Sequence, residues 1–314
     1  MIDVGVLFER DHQADWLWNQ CDGPMGQHRG VRLINDATDA PNLVSFGSPI
    51  PGEYRMRLGG WRRKWAVWRG RLEDERMAHA WERVRTPRQR TDVVFYEPPV
   101  YVKDQGYAWA KAHARAVFGP DPRATHRLRL PSTFSLPGTV HDWRSWQPGD
   151  KPVPLACVTS GKGFLPGHVE RLRFIGMARA AGVEMELFGR GVPAELGTRG
   201  PVMDKGQALR PARLALAIEN DGATDLYVSE KLWDALACWC VPVYFGSRAM
   251  DSMIPPEAVV RLPDLGQGGL EVLRQALADP GLWQRKLEAV AEARRLAMSS
   301  LRMVEWIADR FEAG

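Results

Sequence analysis

The C-terminal half of the chain alternates short apolar runs with amphipathic stretches. PLACVTS (154–160) has strand length and stops in the loop GKGFLPG. HVERLRFIGMARAAG then spaces its apolar residues for one helical face, and Gly182 closes it. VEMELFG (183–189), ARLALAIEN (212–220) and VPVYFG (241–246) predict three further strands, with a helix over SEKLWDALACW (229–239) between the last two. Terminal helices are expected in DLGQGGLEVLRQALADPGLWQRKLEAVAEARRLAMSS and LRMVEWIADRF. Strand and helix in alternation imply parallel βαβ units. In the N-terminal half, DVGVLF, LVSFG (43–47) and DVVFYEPP (92–99) predict strands separated by polar, tryptophan-bearing segments. The stretch 119–152 is rich in Pro, Gly and Ser and predicts little regular structure. The expected organisation is therefore an N-terminal α/β domain over 1–150, a C-terminal α/β domain over 151–290 and helices over 291–314.

Length and composition narrow this picture without changing it. A chain of 314 residues exceeds what one core normally serves, which agrees with two domains. Its 45% hydrophobic and 25% charged residues are those of a globular protein, and no apolar run reaches the eighteen or so residues of a membrane span. The start, MIDVGVLFERDHQADWLW, lacks the features of a signal peptide, so a cytoplasmic location is expected. Cys21, Cys157, Cys238 and Cys240 show neither CxxC spacing nor a paired pattern, and read as small buried hydrophobes. The net charge is +4, but residues 55–90 hold twelve Arg or Lys against four acids, with Trp61, Trp65, Trp68 and Trp81 interleaved. That pattern fits an amphipathic helix with its tryptophans inward, a peripheral contact with an anionic membrane surface, or an acidic glycan site. Nucleic acid is not expected, because no recognition motif accompanies the charge.

The chemistry concentrates in IENDGATDLYVSEKLW (218–233). Ser229 is placed to cap the following helix, whose N-terminus carries unpaired N–H groups and about half a positive charge. Lys231 adds a mobile cation there, and Arg171 or Arg173 from the preceding amphipathic helix supplies a bidentate fork for phosphate. Glu219 and Glu230 suit sugar hydroxyls, and Tyr227 suits stacking or a hydrogen bond. The GKG loop and the FGRG turn bring Lys162, Gly189 and Arg190 to the same strand ends, where a parallel sheet binds its ligand. The plainer reading is a solvated loop and a capped helix. There is no Walker loop, no HExxH and no Cys/His ligand set, so no metal is expected.

IEN…YVSEKLWDAL…VPVYFG resembles the signature of the α1,3-fucosyltransferases, glycosyltransferase family 10. RLRFIGMARAAGVEMELFGRG, DKGQALRPARLALAIEN and VVRLPDLGQGGLEVLRQALADPGLWQRKLEA extend the resemblance over about residues 155–290. It implies a GT-B fold, two Rossmann-like α/β domains facing a cleft, with a GDP-sugar donor, usually GDP-fucose, transferred with inversion. With no Asp-x-Asp to bridge a diphosphate and Arg171 and Lys231 as cations, no metal is expected to be required. Asn220, Tyr227, Glu230 and Lys231 then fall on donor-binding positions, and Arg171, with Arg173 as fallback, meets the diphosphate. VVFYEPP resembles the family's strand-end Glu-Ser-Pro and makes Glu97 the catalytic base; Glu9 and Asp11 are the rival carboxylates. Asn220 and Tyr227 stand one residue further apart than in the family pattern, so a bulge is expected at Asp225 and Leu226. The implied function is addition of fucose to an oligosaccharide or glycolipid in bacterial-type surface polysaccharide synthesis. Another nucleotide sugar, or binding of glycan or nucleotide without turnover, is the alternative.

Overall fold

The computed structural model describes residues 1–8, 15–47 and 81–313. Glu9, Asp11, Trp61, Trp65, Trp68 and most of the basic stretch lie outside these residues. Two compact units divide the chain: residues 1–130 with 304–314, and residues 131–303.

The first unit is built on a seven-stranded sheet in the order β2-β3-β1-β4-β5-β6-β7. Its strands are β1 (Ile2–Phe8), β2 (Gln27–His28), β3 (Val31–Asn35), β4 (Asn42–Phe46), β5 (Thr91–Val94), β6 (Ala116–Gly119) and β7 (His126–Arg127). All neighbours pair in parallel except the short β2–β3 hairpin. Strands covered on both faces need near-continuous apolar sequence. Val4, Val6, Leu43, Val44, Val93 and Val117 meet that need and are fully buried. Helices α1 (Asp15–Trp18), α2 (Asp104–His113) and α9 (Met303–Glu312) accompany the sheet. Trp81, the described tryptophan of the basic stretch, points inward, 4% exposed and stacked on His113. Asp92 interrupts the apolar run of β5 yet is fully buried, because Arg115 and Arg310 reach it at 2.6 and 2.7 Å. A buried carboxylate without such partners would be strongly destabilising.

The second unit carries a five-stranded parallel sheet in the order β12-β11-β10-β8-β9. Its strands are β8 (Val153–Val158), β9 (Glu186–Phe188), β10 (Ala212–Ile218), β11 (Val241–Phe245) and β12 (Val260–Arg261). Its helices are α3 (Val140–Ser145), α4 (Pro166–Ala180), α5 (Lys205–Leu209), α6 (Glu230–Ala237), α7 (Gln267–Ala278) and α8 (Leu282–Ala297). Connections leave β8 toward β9 and leave β10 toward β11, so the strand order reverses between β8 and β10. A crevice opens outside the carboxyl ends at such a point.

The boundaries differ from those expected near 150 and 290. Phe134, Leu136, Val140 and Trp143 belong to the core of the second unit, so its chain begins at Pro131. Turn-forming composition masks this stretch, although Thr139 and Asp142 form a capping box that starts α3. The C-terminal helices are not a separate piece. Val290, Ala293 and Ala297 of α8 pack in the second unit, whereas residues from Val304 onward join the first. Among the described residues, no helix is long and apolar enough to cross a membrane.

Candidate active site

The site is assembled at the β8/β10 reversal. Helix α4 buries one stripe: His168, Arg171, Phe174, Ile175 and Ala178. The lower members are ordinary core, but the two nearest the carboxyl end of the sheet are polar. Arg171 is 2% exposed; its Nη2 donates to the Ser160 carbonyl after β8 at 3.0 Å, and its Nη1 donates to Asn220 Oδ1 after β10. Its fork thus ties together the two loops flanking the crevice. Arg171, the expected diphosphate ligand, stands at the carboxyl ends of β8 and β10. Arg173 cannot replace it, since two steps along a helix turn a side chain by about 200°. Arg173 is exposed and donates to the Leu265 carbonyl at 2.7 Å.

Close backbone approach sets the rest of the frame. A Cβ on Gly161 would lie 1.6 Å from the Gly191 carbonyl oxygen, and one on Gly167 would lie 2.1 Å from that of Asn220. Only glycine fits either position. With Gly161 N–H donating to the Arg190 carbonyl at 3.0 Å, the GKG loop and the FGRG turn meet main chain to main chain. Gly189 is buried, and the exposed side chains of Lys162 and Arg190 stand on either side of this seam.

Ser229 ends an extended segment and caps α6, accepting the Lys231 N–H. Its own N–H and O–H donate to Glu219 at 2.8 and 2.6 Å. Glu219 is 1% exposed and also receives the Tyr244 hydroxyl at 3.4 Å. Sequence reasoning gave Glu219 to sugar hydroxyls, but its oxygens are committed to the cap, and burial raises its pKa against the pull of Lys231 and Ser229. Lys231 Nζ rests 3.0 Å from Ser229 Oγ, 3.6 Å from Glu219 and 3.7 Å from Glu230. Partial burial would raise the Glu230 carboxyl, but Lys231 and Lys205 outweigh it and hold the pKa at about 2. Tyr227 is buried, 3% exposed. The extra residue between Asn220 and Tyr227 falls within two successive turns. Asp221 Oδ1 accepts the N–H groups of Ala223 and Thr224, and a second turn, closed by the Tyr227 N–H donating to the Thr224 carbonyl at 3.3 Å, runs over Asp225 and Leu226, where the irregularity was expected.

Two residues escaped the sequence reading. His168 is fully buried; that burial and the neighbouring Arg171, Lys162 and Lys231 depress its pKa to about 4, so it is neutral in a strongly positive locale. Its signal was available, as a polar residue on the buried stripe of an amphipathic helix. Lys205, at the start of α5, lies 3.6 Å from Glu230 and 2.9 Å from the buried Asp234; its register had no local signal. In the first unit, Glu97 is half-buried just past β5 and is followed by Pro98 and Pro99. Among the described residues, one trio has cation-ligand composition: Asp22, His28 and Glu305. Arg29 Nη1 already stands 3.2 Å from Glu305 there.

Residues 165–269 match the family model for the C-terminal region of glycosyltransferase family 10, the fucosyltransferases. This segment of the second unit resembles the glycosyltransferase family 10 domain. The match lies within the range recognised from motifs and includes every assigned residue from Arg171 to Lys231. An α1,3-fucosyltransferase with GDP is similar in structure over 96% of this chain and 89% of its own, with a TM-score of 0.51 at 14% identity. HepE of Anabaena, in complex with UDP and glucose, gives a TM-score of 0.58 at 10% identity over 100% of both chains. T4 phage BGT, in complex with UDP and Mn2+, gives 0.57 at 11% identity over 99% of both. These likenesses identify the fold as GT-B, with two parallel-sheet α/β units, as expected from sequence. No curated protein matches the chain in sequence. At the carboxyl ends of β8 and β10, Lys231 and the N-terminus of α6 stand beside Glu230, whose carboxyl is held ionised.

Proposed function

We propose that the protein transfers fucose, with inversion, from GDP-fucose to a hydroxyl of a glycan or glycolipid acceptor. The observation that supports this reading is the family 10 match over residues 165–269, a segment that sets Arg171 and Lys231 near one another around the buried His168. Lys231 and the capped N-terminus of α6, with Lys162 and Arg190 on the adjoining loops, neutralise the diphosphate as its bond to the sugar carbon breaks. Arg171 and Asn220 fix those loops, and Glu230 accepts hydroxyl hydrogens of the donor. Glu97 takes the proton of the acceptor hydroxyl. Its oxygen attacks the anomeric carbon from the face opposite the diphosphate, and the electron pair of the breaking bond leaves with GDP. With these cations in place the reading needs no metal. Surface polysaccharide synthesis in the cytoplasm, with peripheral membrane contact through residues 55–90, belongs to the same proposal.

Calorimetric titration with GDP and UDP in EDTA, on wild type and Lys231→Ala, tests the donor side. The expected result is tighter binding of GDP, weakened about tenfold or more by the substitution. A preference for UDP, loss of binding in EDTA, or an unaffected variant would refute it. For the base, Glu97→Gln should bind donor normally while transfer falls on the order of 10²–10⁴-fold.

A further inference from the structure

Glu230 and Asp234 stand one turn apart on α6, which places two carboxylates on the same helix face, where like charges repel. Asp234 is 1% exposed and yet is held at both oxygens: Oδ1 accepts the Ser135 N–H at 2.9 Å, and Oδ2 accepts Lys205 Nζ at 2.9 Å. Lys205 comes from another element. It opens α5, whose cap Asp204 accepts the Gly206 N–H at 2.7 Å, and its side chain is only a quarter exposed. Its ammonium therefore has a fixed position, anchored on Asp234 and 3.6 Å from Glu230 Oε1. Lys231 reaches the same oxygen from the other side at 3.7 Å.

The two contacts to Glu230 are too long for hydrogen bonds but short enough for strong attraction. A carboxylate so placed, with further hydrogen bonding to Ser229 and to its own N–H, is kept ionised and oriented, and its roughly four lone-pair sites leave acceptor capacity for a ligand. A vicinal diol, such as that of a ribose, presents two O–H donors that a single carboxylate can accept together.

We propose that Lys205 is a positioning residue for the donor. Anchored on Asp234, it holds Glu230 as the ionised acceptor of the nucleotide's ribose diol. This rests on the reading of the crevice as a nucleotide-sugar site. The rival role, in which Lys205 only neutralises Asp234, would affect stability without regard to what the ligand carries.

The test compares GDP with 2′,3′-dideoxy-GDP by calorimetry in wild type, Lys205→Met, Lys205→Gln and Lys205→Arg. Lys205→Gln keeps a donor for Asp234 while removing the charge, so it decides the matter if Lys205→Met does not fold. Wild type should bind GDP about tenfold or more tighter than the dideoxy analogue, from the hydrogen bonds to a charged acceptor. In Lys205→Gln that ratio should shrink several-fold, GDP losing affinity and the analogue not, with partial recovery in Lys205→Arg. Equal weakening of both ligands, or an unchanged ratio, would overturn the positioning role. If wild type binds GDP without distinguishing the analogue, the assignment of Glu230 falls and Lys205 with it. If wild type binds no GDP, the nucleotide reading itself fails.

Discussion

Glu219→Ala removes an anion from beneath two donors and a cation. In the native site the carboxylate receives the Ser229 N–H at 2.8 Å and O–H at 2.6 Å, with Lys231 Nζ 3.6 Å away. A hydrogen bond to a charged group contributes about 1.5–3 kcal/mol, and stranding one member of a buried ion pair costs about 3–5 kcal/mol. These effects overlap, because Lys231 and the Ser229 hydroxyl share Oε2. The expected destabilisation of the second unit is therefore about 3–5 kcal/mol in all. Ser229→Ala loses the cap, about 1 kcal/mol, together with one bond to the carboxylate, for about 2–3 kcal/mol. Both substitutions delete the same 2.6 Å bond, so the double variant should fall short of the sum by about 1–2 kcal/mol. Urea denaturation followed by tryptophan fluorescence measures this, since Trp233 is fully buried in this unit and reports its unfolding. The slope with denaturant must stay constant for the comparison to hold. Strict additivity, or a cost for Glu219→Ala below about 1 kcal/mol, would show that Glu219 does not hold the cap.

Two further outcomes follow from the same site. Gly161→Ala places a Cβ 1.6 Å from the Gly191 carbonyl oxygen, and no side chain is there to move aside. It should cost about 2–4 kcal/mol and weaken GDP binding by parting the loops that carry Lys162 and Arg190; a melting temperature and Kd like wild type would refute the seam. Acid separates the two glutamates. Glu230, held at about 2, contributes stability above its ordinary value of 4.5 that is lost as pH falls toward 2. Glu219, raised by burial, does the reverse: its contribution is present below 4.5 and is lost as pH rises through its higher folded value. Glu219→Gln cannot gain that proton, so its stability should drop more steeply than wild type between pH 6 and 4; parallel profiles would contradict the raised value.

The strands were legible where both faces are covered. β8, β10 and β11 are largely apolar runs, with Arg213 near the start of β10 the one charged residue among them, and a parallel sheet requires such runs. The second unit's crevice was legible because polar residues collect at the ends of those runs. Side-chain commitments were not legible. Glu219 and Glu230 are both acids in one short segment, and only the fold shows that one faces the Ser229 backbone and the other stands between two lysines. Arg171 and Arg173 differ by a helix rotation that periodicity does give, once the buried stripe is drawn through Phe174 and Ala178. The segment from Pro131 to Asp150 was misread for the opposite reason. Pro and Gly mark turns correctly, but they say nothing about whether Phe134 and Trp143 between them enter a core. β3, α2 and α5 are short or weakly amphipathic, and long-range pairing rather than local pattern decides them.

The division of the chain bears on its synthesis. Residues 131–303 are continuous, and the segments that enter and leave this unit are joined by a parallel bridge between Ser132 and Arg302. Everything needed to close the second unit has left the ribosome once Met303 emerges. The first unit starts earlier but is completed later, because Arg310, one of the two partners of the buried Asp92, and the apolar face of α9 follow the second unit in the chain. Domains generally form in order of synthesis. The second unit thus closes on one continuous stretch, whereas the first keeps an incompletely paired aspartate in its sheet until residues 304–314 join it.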